Sequence, residues 1–284
     1  MRYLLALLIC CSLQLAHAAD DLFAKGNLVA WCIVPFDAKK RGPEERAQML
    51  KNLGIRRLAY DYRAEHIPTF DAEMEALKRN DIELTAWWFP GSLNAEALQI
   101  LDVIKRHGVH PQLWVTGSGT PVSQEEENAR VESEAERIGA IAKAANPLGC
   151  KVALYNHGGW FGDPVNQIAI IDALAKKGVR NVGIVYNLHH GHDDLDRFPE
   201  LLAKMKPHLL ALNLNGMVRN GDEEGKKILV LGEGSEDARL LRHIRDSGWK
   251  GPIGILNHTP EDAETRLKAN LAGLEKLLQG LGTK

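Results

Sequence analysis

Five of the ten histidines beyond residue 18 fall in three short stretches: Asn156-His157-Gly158-Gly159-Trp160, Asn187-Leu188-His189-His190-Gly191-His192 and Asn257-His258. Imidazole titrates near neutral pH, so such a group suits general acid–base chemistry. Amides stand beside or between these stretches, at Asn156, Asn187, Asn213, Asn215 and Asn257. They donate and accept hydrogen bonds and so match hydroxyl groups. Aromatic residues precede or accompany them: Tyr60, Trp87, Trp88, Trp114, Tyr155 and Trp160. Their flat faces suit the C–H surfaces of a sugar ring. Asp61, Glu65 and Glu233 are the carboxylates that fall near this company. The combination fits a small polyhydroxy ligand, a carbohydrate.

Each residue also has a plainer reading. Trp31, Trp87 or Trp114 fills an interior as readily as it lines a site. Asparagine after a strand tolerates turn geometry. His192 with Asp193-Asp194 starts a helix as well as a site, since acids favour helix N-termini. Glu233 sits in a glycine-rich turn, where a solvent-facing role is equally natural. The clustering argues more strongly than any member.

The elements that would position these residues are legible from hydrophobic patterning. Eight short apolar, β-rich runs are expected at 28–34, 56–60, 82–89, 111–116, 150–155, 181–186, 209–214 and 252–257. Amphipathic helices are expected between and after them, at 43–53, 70–79, 94–107, 124–145, 164–177, 195–206, 236–247 and 261–279. Strand-to-strand spacings of 25–40 residues are those of repeated βα units. Gly54, Gly108 and Gly178 supply left-handed helix stops; Pro43, Pro164 and Pro260 fall near helix starts. Eight units in one compact length predict an α/β fold, a single (β/α)8 TIM barrel. An open doubly wound sheet would want a Gly-rich phosphate loop after its first strand, and "VPFDAKKRGPEE" has none. In such a barrel the C-terminal strand ends form the active site. That rule collects Tyr60, Asp61, Trp88, Trp114, Tyr155, Asn156, Trp160, Asn187, His189, Asn213 and Asn257 as substrate-binding candidates. The segment 215–235 overhangs the seventh strand and reads either as a mobile lid or as a surface hairpin.

Composition narrows the classes. The 284 residues carry 35 Lys+Arg and 37 Asp+Glu, a formal charge of −2, with no long basic run. Nucleic-acid binding needs a basic face, and none is indicated. Residues 1–18, "MRYLLALLICCSLQLAHA", have Arg2, a short apolar run and an Ala-His-Ala ending. They read as a cleaved signal peptide, giving an exported protein, periplasmic or secreted, with residues 19–284 as one domain. No membrane partner is expected after cleavage. Cys32 and Cys150, the two cysteines that remain, are expected as buried free thiols.

Several stretches resemble the xylose-isomerase-like barrel superfamily, which includes sugar and sugar-phosphate isomerases and epimerases. They are "LYNHGGW" at 154–160, "NLHH" at 187–190, "LGEG" at 231–234 and "GWKGPIGI" at 248–255. The resemblance spans roughly residues 28–280. It implies a (β/α)8 barrel acting on a carbohydrate, with His157 and His190 matching family histidines, the latter one that contacts substrate near the reacting carbon. It also implies a divalent ion held by Glu, Asp, His and Glu from strands 5 to 8. Here those positions carry Tyr155, Asn187, Asn213 (or Leu212) and Leu256, with Asn257 beside the last. Mg²⁺ and Mn²⁺ want anionic oxygen ligands, so the family metal is expected to be lost and no cofactor is expected.

Three functions fit. One is an isomerase, epimerase or lyase acting on a keto-sugar or glycoside, with His157, His190, His258 and Glu233 as acid–base candidates. A second keeps a metal such as Zn²⁺ on the histidines. A third is a carbohydrate-binding barrel without catalysis.

Overall fold

The structure, a computed structural model, describes residues 22–282. Residues 1–18, expected as a signal peptide, lie outside the described residues. Eight parallel strands close in chain order into a barrel. They are β1 (Leu28–Trp31), β2 (Arg57–Tyr60), β3 (Glu83–Phe89), β4 (Gln112–Val115), β5 (Lys151–Tyr155), β6 (Val182–Asn187), β7 (Leu209–Leu214) and β8 (Ile253–Leu256). Closure comes from β8 pairing back on β1, in register from Leu28↔Ile253 to Trp31↔Leu256.

Helices return the chain between strands: α1 (Pro43–Leu53), α2 (Phe70–Arg79), α3 (Ala95–His107), α4 (Glu127–Ala145), the short α5 (Gly159–Gly162), α6 (Pro164–Lys176), α7 (Phe198–Met205), α8 (Asp237–Asp246) and α9 (Ala263–Leu281). Their ends follow local chemistry. Asn94 caps α3 by accepting from the Ala97 N–H at 2.8 Å, and Asp163 caps α6 through the Val165 N–H at 2.8 Å. Gly54 and Gly108 stop α1 and α3 in left-handed conformations, with φ of 74° and 62°.

Strand side chains alternate between two cores. Leu58, Tyr60, Trp87, Leu113, Leu154, Tyr186, Leu212 and Ile255 face outward and pack under the helices. Val29, Trp31, Ala59, Ala86, Trp114, Ala153, Tyr155, Val185, Ala211 and Leu256 face the barrel axis. Each fully buried aliphatic side chain contributes about 1.5–3 kcal/mol. Small residues line most of the interior, which leaves room for Trp31, Trp114 and Tyr155. Cys32 and Cys150 are free and buried. Among the described residues no helix is long and apolar enough to cross a membrane.

The segment after β7 is a hairpin fastened to the body. Gly216 and Leu229 exchange backbone hydrogen bonds at 2.9 and 3.2 Å. Buried Asp237, at the start of α8, accepts from the N–H groups of Met217, Gly232 and Gly234 at 2.6–3.1 Å. The two ring nitrogens of His192 lie 3.2 and 3.0 Å from the carbonyls of Val218 and Lys227. His192 therefore ties the hairpin to the segment after β6.

Candidate functional site

Rings run in a continuous series from the barrel interior, at Trp114, to its C-terminal mouth. Trp31 packs edge-on against Trp114 at 4.7 Å and lies 6.1 Å from Tyr155. Trp88 meets Tyr155 edge-on at 5.2 Å. From Tyr155 the series passes to His190 at 5.6 Å, which touches His157 at 4.6 Å and His189 at 3.6 Å. His189 lies 5.9 Å from His258, whose ring meets Phe36 at a 45° tilt and 3.9 Å, and the Arg63 guanidinium covers Phe36 at 5.3 Å. Strands 1, 3, 4, 5, 6 and 8 thus bring together side chains far apart in sequence. His157 and His258 are exposed at the rim, His190 is half-buried and His189 is buried.

Burial and crowding set the charge state of this arc. Burial pushes the His190 imidazole down to about 3, helped by the nearby His157 and Lys227. It also lowers His189 well below its ordinary value and lowers His258. Near neutral pH these three are uncharged imidazoles, each able to donate one N–H and accept at the other nitrogen. The Nδ1 of His189 has no partner.

The four positions where the family resemblance puts metal ligands lie inside the mouth. Asn187 pairs across with Asn213, and Asn213 with Gly254. A Cβ on Gly254 would collide with the Asn213 amide, so glycine there makes room for it. Leu212 faces the helices, which identifies Asn213 as the inward residue. The Asn187 amide donates to the Tyr155 hydroxyl, and burial holds that phenol protonated, far above its usual range. A neutral phenol, two neutral amides and the alkyl chain of Leu256 offer no anionic oxygen. This donor set does not fit a hard divalent ion. Among the described residues no three His, Cys, Asp or Glu side chains converge on a position that would hold a metal.

Asp61 is the acid of the mouth. Ala59 faces the barrel axis and Tyr60 the helices, so Asp61 returns to the axis. It is 1 % exposed. Its Oδ1 accepts from the Val34 N–H at 3.2 Å, and the carboxylate also takes a weak hydrogen bond from the Cys32 thiol. Cys32 lies beside it in a left-handed conformation, φ 58°, unusual for a residue with a side chain. The amides of Asn213 and Asn257 are buried and unpartnered at both N and O. The mouth thus holds unmet hydrogen-bonding capacity from strands 2, 6, 7 and 8.

Other candidates stand elsewhere. Tyr60, read as a substrate contact, is in the outer core against Phe70 and Trp87, because strand alternation points it at the helices. Trp160 also packs outward: its Nε1 donates to Glu127 at 2.8 Å and Arg130 covers its ring. Both amide atoms of Asn156 are taken by the Asn187 backbone, at 3.1 and 2.7 Å, so it clasps β5 to β6. Trp114 is buried inside the barrel, donating to Gln112 at 2.9 Å. Glu233 is exposed in the turn that Asp237 fastens. Phe36 and Arg63, expected at this rim from their places just beyond strands 1 and 2, are in the neighbourhood. The structure adds Cys32 and Lys227, which carry no sequence signal beyond their places after β1 and in the hairpin.

No family model matches the chain, and no curated protein matches it. Solved structures do. One is 3-keto-D-glucoside 4-epimerase, YcjR, from E. coli: 15% identity over 89% of this chain and 99% of that one, TM-score 0.64. Another is a D-psicose 3-epimerase: 15% identity, 90% and 99% coverage, TM-score 0.62. A third is a xylose isomerase domain protein from Alicyclobacillus acidocaldarius subsp. acidocaldarius: 18% identity, 89% and 98% coverage, TM-score 0.60. This likeness shows the fold, a (β/α)8 barrel shared with these three structures.

Proposed function

We propose that the chain is an isomerase- or epimerase-like enzyme acting on a keto-sugar or glycoside through its own side chains. The observation that carries this is the contiguous arc His258–His189–His190–His157, set against the aromatic wall of Tyr155, Trp88 and Trp31. Aromatic rings take the C–H faces of a sugar, and the unpartnered amides of Asn213 and Asn257 take its hydroxyls. A neutral imidazole such as His190 donates to a carbonyl oxygen and steadies the negative charge that develops there on enolisation. Exposed His157 touches His190 at the rim. The structural neighbours named for sugar epimerases support the carbohydrate assignment through fold likeness.

His157→Ala and His190→Ala test the reading with 3-keto-glucoside and D-fructose as substrates. Turnover is expected to fall by about 100-fold or more, with binding by calorimetry largely kept. Unchanged turnover in both variants would sink the histidine chemistry. The second reading, a barrel that binds a carbohydrate without transforming it, draws on those same unpartnered amides. It predicts sugar binding by the wild type with no turnover at any pH.

A further inference from the structure

We propose that Asp61 is the group that takes and returns the substrate's carbon-bound proton, an assignment that rests on the isomerase or epimerase reading above. Three observations locate it. Strand alternation turns Asp61 to the barrel axis beneath the mouth, and it is almost wholly enclosed. One carboxylate oxygen is fixed by the Val34 N–H, while the other, equally buried, has no donor but the weak one of the neighbouring Cys32 thiol. A buried acceptor so thinly satisfied costs stability, and a ligand O–H would supply what is missing. The Tyr155 hydroxyl feels the Asp61 carboxylate electrostatically, and the Tyr155 ring is 5.6 Å from His190.

The charged and titratable groups facing Asp61 are the Arg63 guanidinium, Arg46 on α1, and the neutral Cys32, Tyr60 and Tyr155 groups. Burial pushes the carboxyl up to about 6, with Arg63, the Val34 N–H and Arg46 pulling the other way. A base poised near the operating pH transfers protons efficiently. His189 and His190, held neutral, are poor bases and good hydrogen-bond donors, so the roles divide. In the step, the Asp61 carboxylate takes the proton from the carbon beside the carbonyl. The C–H electron pair becomes the C=C bond of the enolate, and the carbonyl π pair becomes negative charge on oxygen, which a neutral imidazole steadies. Return of the proton to carbon restores the carbonyl.

The test uses the mature chain, residues 19–284, as wild type, Asp61→Asn and Asp61→Glu, with 3-keto-glucoside and D-fructose in D₂O. Deuterium entry at the carbon beside the carbonyl is followed by NMR from pH 4.5 to 8, and affinity is measured by calorimetry. Wild-type exchange is expected to fall about tenfold per pH unit below 6. Asp61→Asn is expected to lose about 100-fold or more of the exchange and the whole acid limb, with affinity kept within about threefold, and Asp61→Glu to recover part of the rate. Exchange by Asp61→Asn within threefold of wild type, or an acid limb that persists, overturns the assignment and leaves the isomerase reading standing. Loss of affinity in step with exchange makes Asp61 a binding group and also overturns it. A wild type that binds either probe but never exchanges overturns this assignment and the isomerase reading together, as does a wild type that neither binds nor exchanges.

Discussion

Burial acts on Asp61 and His190 with opposite sign, because it disfavours whichever form is charged. For Asp61 the folded chain raises the carboxyl to about 6. The folded state therefore holds the proton more tightly than the unfolded state does. The contribution to stability is full below the ordinary carboxylate range and is lost as pH rises through 6. Asp61→Asn is therefore expected to stabilise the fold at pH 7.5 by about 1–3 kcal/mol, with the gain shrinking toward pH 4. Urea unfolding at the two pH values measures this; a gain that does not depend on pH would contradict it. His190 runs the other way. Its neutral form is favoured, so its contribution is present above about 6.5 and lost as pH falls toward 3.

The hairpin after β7 shows how one element depends on one acid. Asp237 receives three backbone N–H groups from the two ends of the segment, and burial still pushes its carboxyl up to about 6. Leu231 adds a bond to buried Asn270 on α9, and Arg266 reaches the Ile228 carbonyl. Asp237→Ala is expected to cost about 2–4 kcal/mol, since charge-assisted bonds to backbone are worth more than neutral ones. It should also open the hairpin to trypsin at Lys226 and Lys227. Equal digestion rates for variant and wild type would show that the anchor lies elsewhere. Strand and helix boundaries were readable from the sequence to within a few residues, because each is encoded in periods of 2 and 3.6 over a handful of positions. The anchoring of the hairpin was not, since Asp237 reaches Met217, 20 residues back, and His192 reaches carbonyls 26 and 35 residues on.

At the scale of the whole chain, eight βα units of similar length leave a closed parallel barrel as the economical arrangement, and the strands pair in that order. The N-terminal segment 1–18 is proposed as an export signal. In a Gram-negative host, the chain recovered from the periplasm is expected to begin at Ala19 by intact mass. A chain retaining Met1 there, or found only in the cytoplasm, would exclude cleavage at that point. The amino-acid sequence by itself determined the element order, the barrel, and the gathering of histidines, amides and aromatics at the strand ends. These follow from local periodicity and from the rule that strand C-termini share one rim. Tertiary structure alone decided which of them meet. Strand parity sent Tyr60 to the helices and Asp61 to the axis, and packing turned Trp160 outward toward Glu127 and Arg130. The Asn187 backbone consumed the Asn156 amide, while the Asn213 amide was left without a partner. Pairing and desolvation depend on what distant strands bring to the same few ångströms, and no local pattern encodes that.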